Sequence, residues 1–238
     1  MKYPRSRSAV RCLGAIVVIV GLSILNIHAA QPEQGKPEQS KTEVQEFKGT
    51  QAKALQGDAA AQCALGMCYG YGKGVAKNAV EAAKWYRKAA DQGNANAQYS
   101  MGWCCQNGEG VEGSTVEAVK WYRKAADQGH ILAQYSLGWC CQNGSGMNKN
   151  PAEAVKWFSK AAEQGHPDAQ YSVGLCYGNG QGVATNYVEA YKWAVLAAGQ
   201  GYDEARKLRD SLEQKLKPDQ IAEARKSAET IKTRLLGQ

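Results

Sequence analysis

From Phe47 onward, apolar residues fall in short blocks. Ala61, Leu65 and Cys68 show the spacing, i, i+4 and i+7, which marks one face of a helix. No segment keeps the alternation of period two that a half-buried strand needs. The blocks also repeat. Gly57, Gly93, Gly129, Gly165 and Gly201 lie 36 residues apart, and so do Gln62, Gln98, Gln134 and Gln170. A fixed period of this length predicts an array of stacked supersecondary units. Four full units cover 57–92, 93–128, 129–164 and 165–200. Residues 47–56 match the end of a preceding unit, and 201–238 read as a helical C-terminal cap.

Each unit reads as two helices. The first starts after the period-marking glycine, with Asp58, Asn94, His130 or His166 at the N-cap position. A loop with two recurring glycines follows. The second starts at Asn78, Ser114, Asn150 or Asn186, each followed three residues later by a glutamate, as in a capping box. Trp85, Trp121, Trp157 and Trp193 recur on the apolar face of this second helix and are expected in the core. Gly66, Gly102, Gly138 and Gly174 recur on the first helix, where a missing side chain lets two helices approach closely. Recurring columns account for 17 of the 26 glycines, so the glycine content does not mark a flexible linker.

The start of the chain differs. Met1 to Gly14 is basic, and Ala15 to Ile27 is a thirteen-residue apolar run followed by His28-Ala29-Ala30. That is too short for a spanning helix, which needs about 20 residues, and fits the apolar region of a signal peptide. Residues 1–30 are therefore expected to be an export signal cleaved near Ala29-Ala30, giving a periplasmic or secreted mature chain with no transmembrane segment. Residues 31–46 are polar, carry two prolines and read as a disordered linker. The net charge of +7 shrinks to +3 once the four cations of the first thirty residues are set aside. No dense basic patch remains, which argues against a nucleic-acid binder.

The run AQYSLGWCCQNGSGMNKNPAEAVKWFSKAAEQG (133–165) resembles the consensus of Sel1-like repeats, the 36-residue relatives of tetratricopeptide repeats. The resemblance covers about 57–201 and is carried by four in-register copies. It implies an all-α fold, an α/α right-handed superhelical solenoid, that binds proteins as a scaffold or adaptor. Many bacterial members carry signal peptides. Two departures stand out. Cys105 and Cys141 replace the tyrosine that Tyr69 and Tyr177 keep, and the fourth unit ends WAVLAAGQG where its siblings read close to WYRKAADQG. A cysteine-rich branch of the family staples the two helices of each repeat. Here the second-helix positions are Ala89, Ala125 and Ala161, so that framework is absent.

Signal removal would leave seven of the eight cysteines. Buried thiols, a cross-column disulfide such as Cys105 with Cys140, and a metal or redox role all stay open. Neither histidine of the cap column has a spaced partner for a metal. Gly108–Gly113 matches G-x-G-x-x-G but follows a helix, not the strand a dinucleotide site requires. No hydrolase motif such as S-x-x-K or G-x-S-x-G occurs. A non-catalytic chain without cofactor or metal is expected.

The candidate site is aromatic. Tyr99 and Trp103 are i, i+4 on a first helix; Tyr135 and Trp139 repeat the pair, and Tyr171 continues the row. Gln106, Asn107, Gln142 and Asn143 follow each tryptophan. In a tetratricopeptide-like stack, first helices line the concave side, and aromatics flanked by amides suit an extended peptide or a sugar chain. Packing between repeats would explain the tyrosines equally well. The expected partner is an unidentified protein or peptide held by a monomeric chain. A glycan- or cell-wall-binding module, or a β-lactam-interacting protein like the cysteine-rich relatives, is the alternative.

Overall fold

The computed structural model describes residues 36–237, with side chains from Lys41 onward. The signal-peptide expectation for 1–30 lies outside them. Residues Glu38–Gln238 form one compact unit, which among the described residues is entirely helical.

Eleven helices are described: α1 (Lys36–Leu55), α2 (Ala59–Tyr71), α3 (Ala79–Asp91), α4 (Ala95–Asn107), α5 (Thr115–Asp127), α6 (Ile131–Asn143), α7 (Pro151–Glu163), α8 (Pro167–Asn179), α9 (Tyr187–Gly199), α10 (Asp203–Glu213) and α11 (Pro218–Leu236). From α2 on, each packs on the next through α10, which is the contact pattern of a solenoid. α2 to α9 are the four repeats, first and second helices alternating.

The predicted N-caps are used. The Glu81 N–H donates to Asn78 Oδ1 at 3.1 Å and the Glu117 N–H to Ser114 Oγ at 3.3 Å. The reciprocal half of the capping box is not what the glutamates do. Glu81 and Glu117 pair with Lys84 and Lys120, and Glu153 accepts from Arg123 of the preceding repeat at 2.8 Å.

Within a repeat, the helices meet where an aromatic ring lies on a glycine. A Cβ added to Gly102 would sit 2.5 Å from the Tyr122 ring, and one on Gly138 would sit 2.6 Å from Phe158. Tyr86 covers Gly66 in the same way. Between repeats, each loop presses onto the start of the preceding second helix. A Cβ on Gly110 would overlap the Ala79 carbonyl, and that glycine has φ 72°, a left-handed backbone that side chains disfavour.

Buried glutamines tie three helices at once. Gln134 Nε2 donates to the Ala126 carbonyl of the preceding repeat at 3.2 Å, and Gln134 Oε1 accepts from Gln164 Nε2 at 2.8 Å. Gln62, Gln98 and Gln170 make the equivalent bonds.

At the front of the array, α1 starts at Lys36, so the segment read as a disordered linker up to residue 46 is helical from that point. Glu43, 36 residues before Ala79, meets the Gly74 loop as Ala79 meets Gly110. The half-repeat thus reaches back to Glu43, not only to Phe47. Its stripe was hard to see because Phe47 and Ala54 alone are buried on it.

At the back, Ala194 replaces the ring that siblings carry, and Leu208 of α10 fills the space near Gly174. Pro218 opens α11 instead of lying between helices, which its fixed φ permits at the first helical position. α11 then packs against α9. Tyr191 Oη donates to Glu213 at 2.6 Å, and Arg225 bridges both groups. The apolar Val195 and Leu196, which stand where repeat 2 has Arg123 and Lys124, share a core with Ala228 of this helix.

Gly102→Ala should therefore cost about 1–2 kcal/mol, since overpacking exceeds the roughly 1 kcal/mol helix-propensity gain. At Gly174 the nearest atoms are 3.2 and 3.3 Å from an added Cβ. Gly174→Ala should leave stability within about 0.5 kcal/mol of the parent. Chemical denaturation of the two variants checks the difference, and equal losses would show that the ring contact does not set the spacing.

Candidate interaction surface

The first helices carry two rows that the sequence joined into one site, and the structure separates them. Tyr99 and Tyr135 stack on the N-cap residue of the following repeat, and Tyr171 meets its counterpart at a tilt. Their ring centroids lie 4.9 Å from His130, 4.8 Å from His166 and 5.1 Å from Tyr202. All three tyrosines are part-buried. This row is occupied by the seam between repeats.

The amides are also largely committed. Gln106 Oε1 accepts from the buried Tyr122 hydroxyl at 2.7 Å. Asn107 and Asn143 donate to the Trp103 and Trp139 carbonyls at 2.8 and 2.9 Å, closing their own helix ends. Gln142 donates to Gln181 at a long 3.4 Å.

What is left is a row of large apolar side chains one turn along. Trp139 is 43% exposed and Met67 38% exposed, with Trp103 and Leu175 part-buried between and beyond them. Met67 was not picked out from the sequence, although it sits 36 residues before Trp103. Register, not residue type, was the signal that could have found it.

The second-helix tryptophans are structural. Trp121, Trp157 and Trp193 are buried, and Trp85 at the first repeat is part-buried. Lys88, Lys124 and Lys160 each hold the ammonium 4.1 Å from the ring of their own helix, and Arg87 lies 5.0 Å from Trp121 of the next repeat. The basic stripe is thus spread over the tryptophan column and partly paired with glutamates.

The cap histidines have a defined tautomer. The Ala133 and Ala169 N–H groups donate to His130 Nδ1 and His166 Nδ1, both at 3.2 Å. A cap acceptor must be unprotonated. Burial lowers both pKa values, against a smaller opposing effect of Asp168 on His166.

The seven described cysteines are unbridged, and all but Cys68 are buried. Burial is the first cause of every upward shift, to about 12 for Cys104 and about 11 for Cys63, Cys140, Cys141 and Cys176. Thiols held protonated at neutral pH are poor nucleophiles and poor metal ligands. Among the described residues no cluster of three or more His, Cys, Asp or Glu could hold a metal ion. No described helix is long and apolar enough to cross a membrane.

The Sel1-repeat family model matches residues 59–94, 95–130, 131–166 and 167–202. The chain belongs to the Sel1-repeat family. Among solved Sel1-repeat structures, the Sel1 repeat protein from Oxalobacter formigenes is 38% identical, with a TM-score of 0.65 over 71% of this chain and 72% of that one. A second, c5321, is described as a protective antigen present in uropathogenic Escherichia coli strains displaying an SLR fold. It is 31% identical with a TM-score of 0.54, over 79% of this Sel1-repeat chain but only 48% of its own. No curated protein matches. The family's fold is generally a non-catalytic scaffold.

The lowered histidine pKa values fix the sign of a pH effect. The unfolded chain binds more protons below about pH 6.5 than the folded one, so stability falls as pH drops through that value. The melting temperature should fall between about pH 7.5 and 5, each kcal/mol showing as about 2–4 °C. His130→Asn with His166→Asn, which restores the cap type of Asn94, should shrink that fall. An unchanged acid slope would show that the histidines do not contribute.

Proposed function

We propose that this Sel1-repeat protein is an exported, non-catalytic scaffold that binds a partner polypeptide along the apolar row Met67, Trp103 and Trp139 of its first helices. One observation carries the reading. Trp139 keeps 43% of its surface exposed in an array whose other recurring aromatics are stacked, buried or part-buried. A large aromatic side chain left in water on a rigid helix is a usual anchor for a protein partner. The tyrosines and amides of the original candidate site support the row by fixing the helices, and do not themselves contact the partner.

Export rests on the basic start and thirteen-residue apolar run at the N-terminus. That a similar protein is a protective antigen fits a place outside the cytoplasm. The glycan alternative is weaker, because Asn107 and Asn143 each give an amide N–H to a backbone carbonyl, and Gln106 Oε1 is taken by the Tyr122 hydroxyl. A sugar needs such donors as much as it needs a ring. The β-lactam alternative lacks a serine motif or an activated thiol.

The test is co-purification from an envelope extract of the source organism, with the tagged chain and a Trp103→Ala/Trp139→Ala variant as baits. The expected outcome is a protein retained by the parent and depleted at least tenfold by the variant, with the two circular dichroism spectra superimposable. Retention by both baits would move the site off this row. Retention by neither, with a sugar captured instead, would overturn the scaffold reading.

A further inference from the structure

The repeats are in register, so each residue of repeat 4 has counterparts that show what the fold requires at that place. The last turn of the second helix reads Arg87, Lys88 and Asp91 in repeat 1, Arg123, Lys124 and Asp127 in repeat 2, and Ser159, Lys160 and Glu163 in repeat 3. Repeat 4 has Val195, Leu196 and Gly199. The first two replacements are explained by α11, whose Ala228 and Ile231 join the same core as Leu196.

Gly199 is not explained in that way. A Cβ there would meet nothing within 4 Å, and the residue does not have the left-handed backbone of Gly201. Neither close approach nor backbone conformation calls for glycine. Gly199 lines a cleft of about 600 Å³ between α9 and α11. That volume is within the range of about 300–1,000 Å³ typical of small-molecule sites.

The floor of the cleft is apolar, formed by Val195, Leu196, Gly199 and Leu235. Leu236 is 78% exposed, a large apolar surface left at its mouth. The rim carries Arg225, Glu229 and Lys232, a net charge of one cation. Arg225 is held by Glu213 at 2.6 Å, whereas Lys232 reaches Glu229 only at 3.4 Å and both are well exposed. Lys232 is therefore the less firmly paired cation of the rim, with three donors on its ammonium.

We propose that this cleft binds a single-chain amphiphile with one anionic headgroup, its alkyl chain on the floor beside Gly199 and its head at Lys232. A fatty-acid carboxylate has that chemistry. The site is independent of the apolar row on the first helices and does not rest on the scaffold reading.

The test uses the full chain and 11-(dansylamino)undecanoic acid below its micelle concentration, followed by fluorescence. Saturable binding is expected, displaced by dodecanoate and at least tenfold less well by dodecanol. Gly199→Glu, which installs the residue of repeat 3, should weaken binding at least tenfold while the melting temperature moves by less than about 2 °C, because the added side chain has open space. Lys232→Gln should reduce the preference for dodecanoate over dodecanol. A parallel arm offers vesicles of phosphatidylglycerol, to separate a free acid from a lipid headgroup in a bilayer. No saturable binding by the parent chain, unchanged binding by Gly199→Glu, or sedimentation with vesicles without capture of the monomeric acid would each overturn the proposal.

Discussion

The ring resting on a glycine is the contact from which the array is built. Tyr86, Tyr122 and Phe158 lie so close to Gly66, Gly102 and Gly138 that no side chain fits between them. This joins the two helices of a repeat through the ring and leaves the first helix's other faces for its neighbours. A single hairpin cannot cover those faces, so each repeat must be covered by the next. The rest follows from that need: loops pressed onto the preceding helix, glutamines that bond to two repeats at once, and rings stacked on the next N-cap. The two ends solve it differently. α1 supplies half a repeat in front, and behind, α10 and α11 turn the exposed end over with Leu208, Leu212 and Ala228.

Stacking also decides which residues are available for binding. A side chain that recurs in every repeat and touches the neighbouring repeat is spent on the seam. The tyrosine row is the clear case. Read from the sequence, Tyr99 and Tyr135 look like partners of Trp103 and Trp139, since all four share a helix face. In the fold, the tyrosines point along the array into His130 and His166, while the tryptophans one turn on reach the surface. Helical spacing places residues on a face, but it does not say whether the next repeat covers that part of the face.

Much of the fold was legible because its causes are local and repeated. The 36-residue period, the N-caps and the tryptophan column each depend on short-range rules, and four copies remove the ambiguity of one. The glycine column reads as a close approach, yet the sequence reading names no partner for it, although an aromatic follows the tryptophan in three repeats. Tyr122 and Phe158 are more deeply buried than the tryptophans beside them. Departures from the period were harder. The half-repeat of α1 shares too few side chains with its siblings, and α11 belongs to no repeat, so only coordinates could show what it packs against.

Those departures are where an array of equivalent units acquires anything specific. A column identical in every repeat can only build the stack, because whatever it binds would be bound equally at four places. Specific recognition needs a column that varies while its neighbours hold constant. Several columns vary, and two of them reach the surface where a ligand could touch them. One runs Met67, Trp103, Trp139 and Leu175, all large and apolar but of different shape and exposure. The other runs Asp91, Asp127, Glu163 and Gly199, three acids and then an unneeded glycine. The first changes shape along a continuous surface, as a peptide-reading row must. The second changes once, at the end of the array, as a single cleft for one small molecule must. Both were present in the sequence as breaks in a pattern, and they become chemically meaningful only when the pattern around them has been assigned to structure.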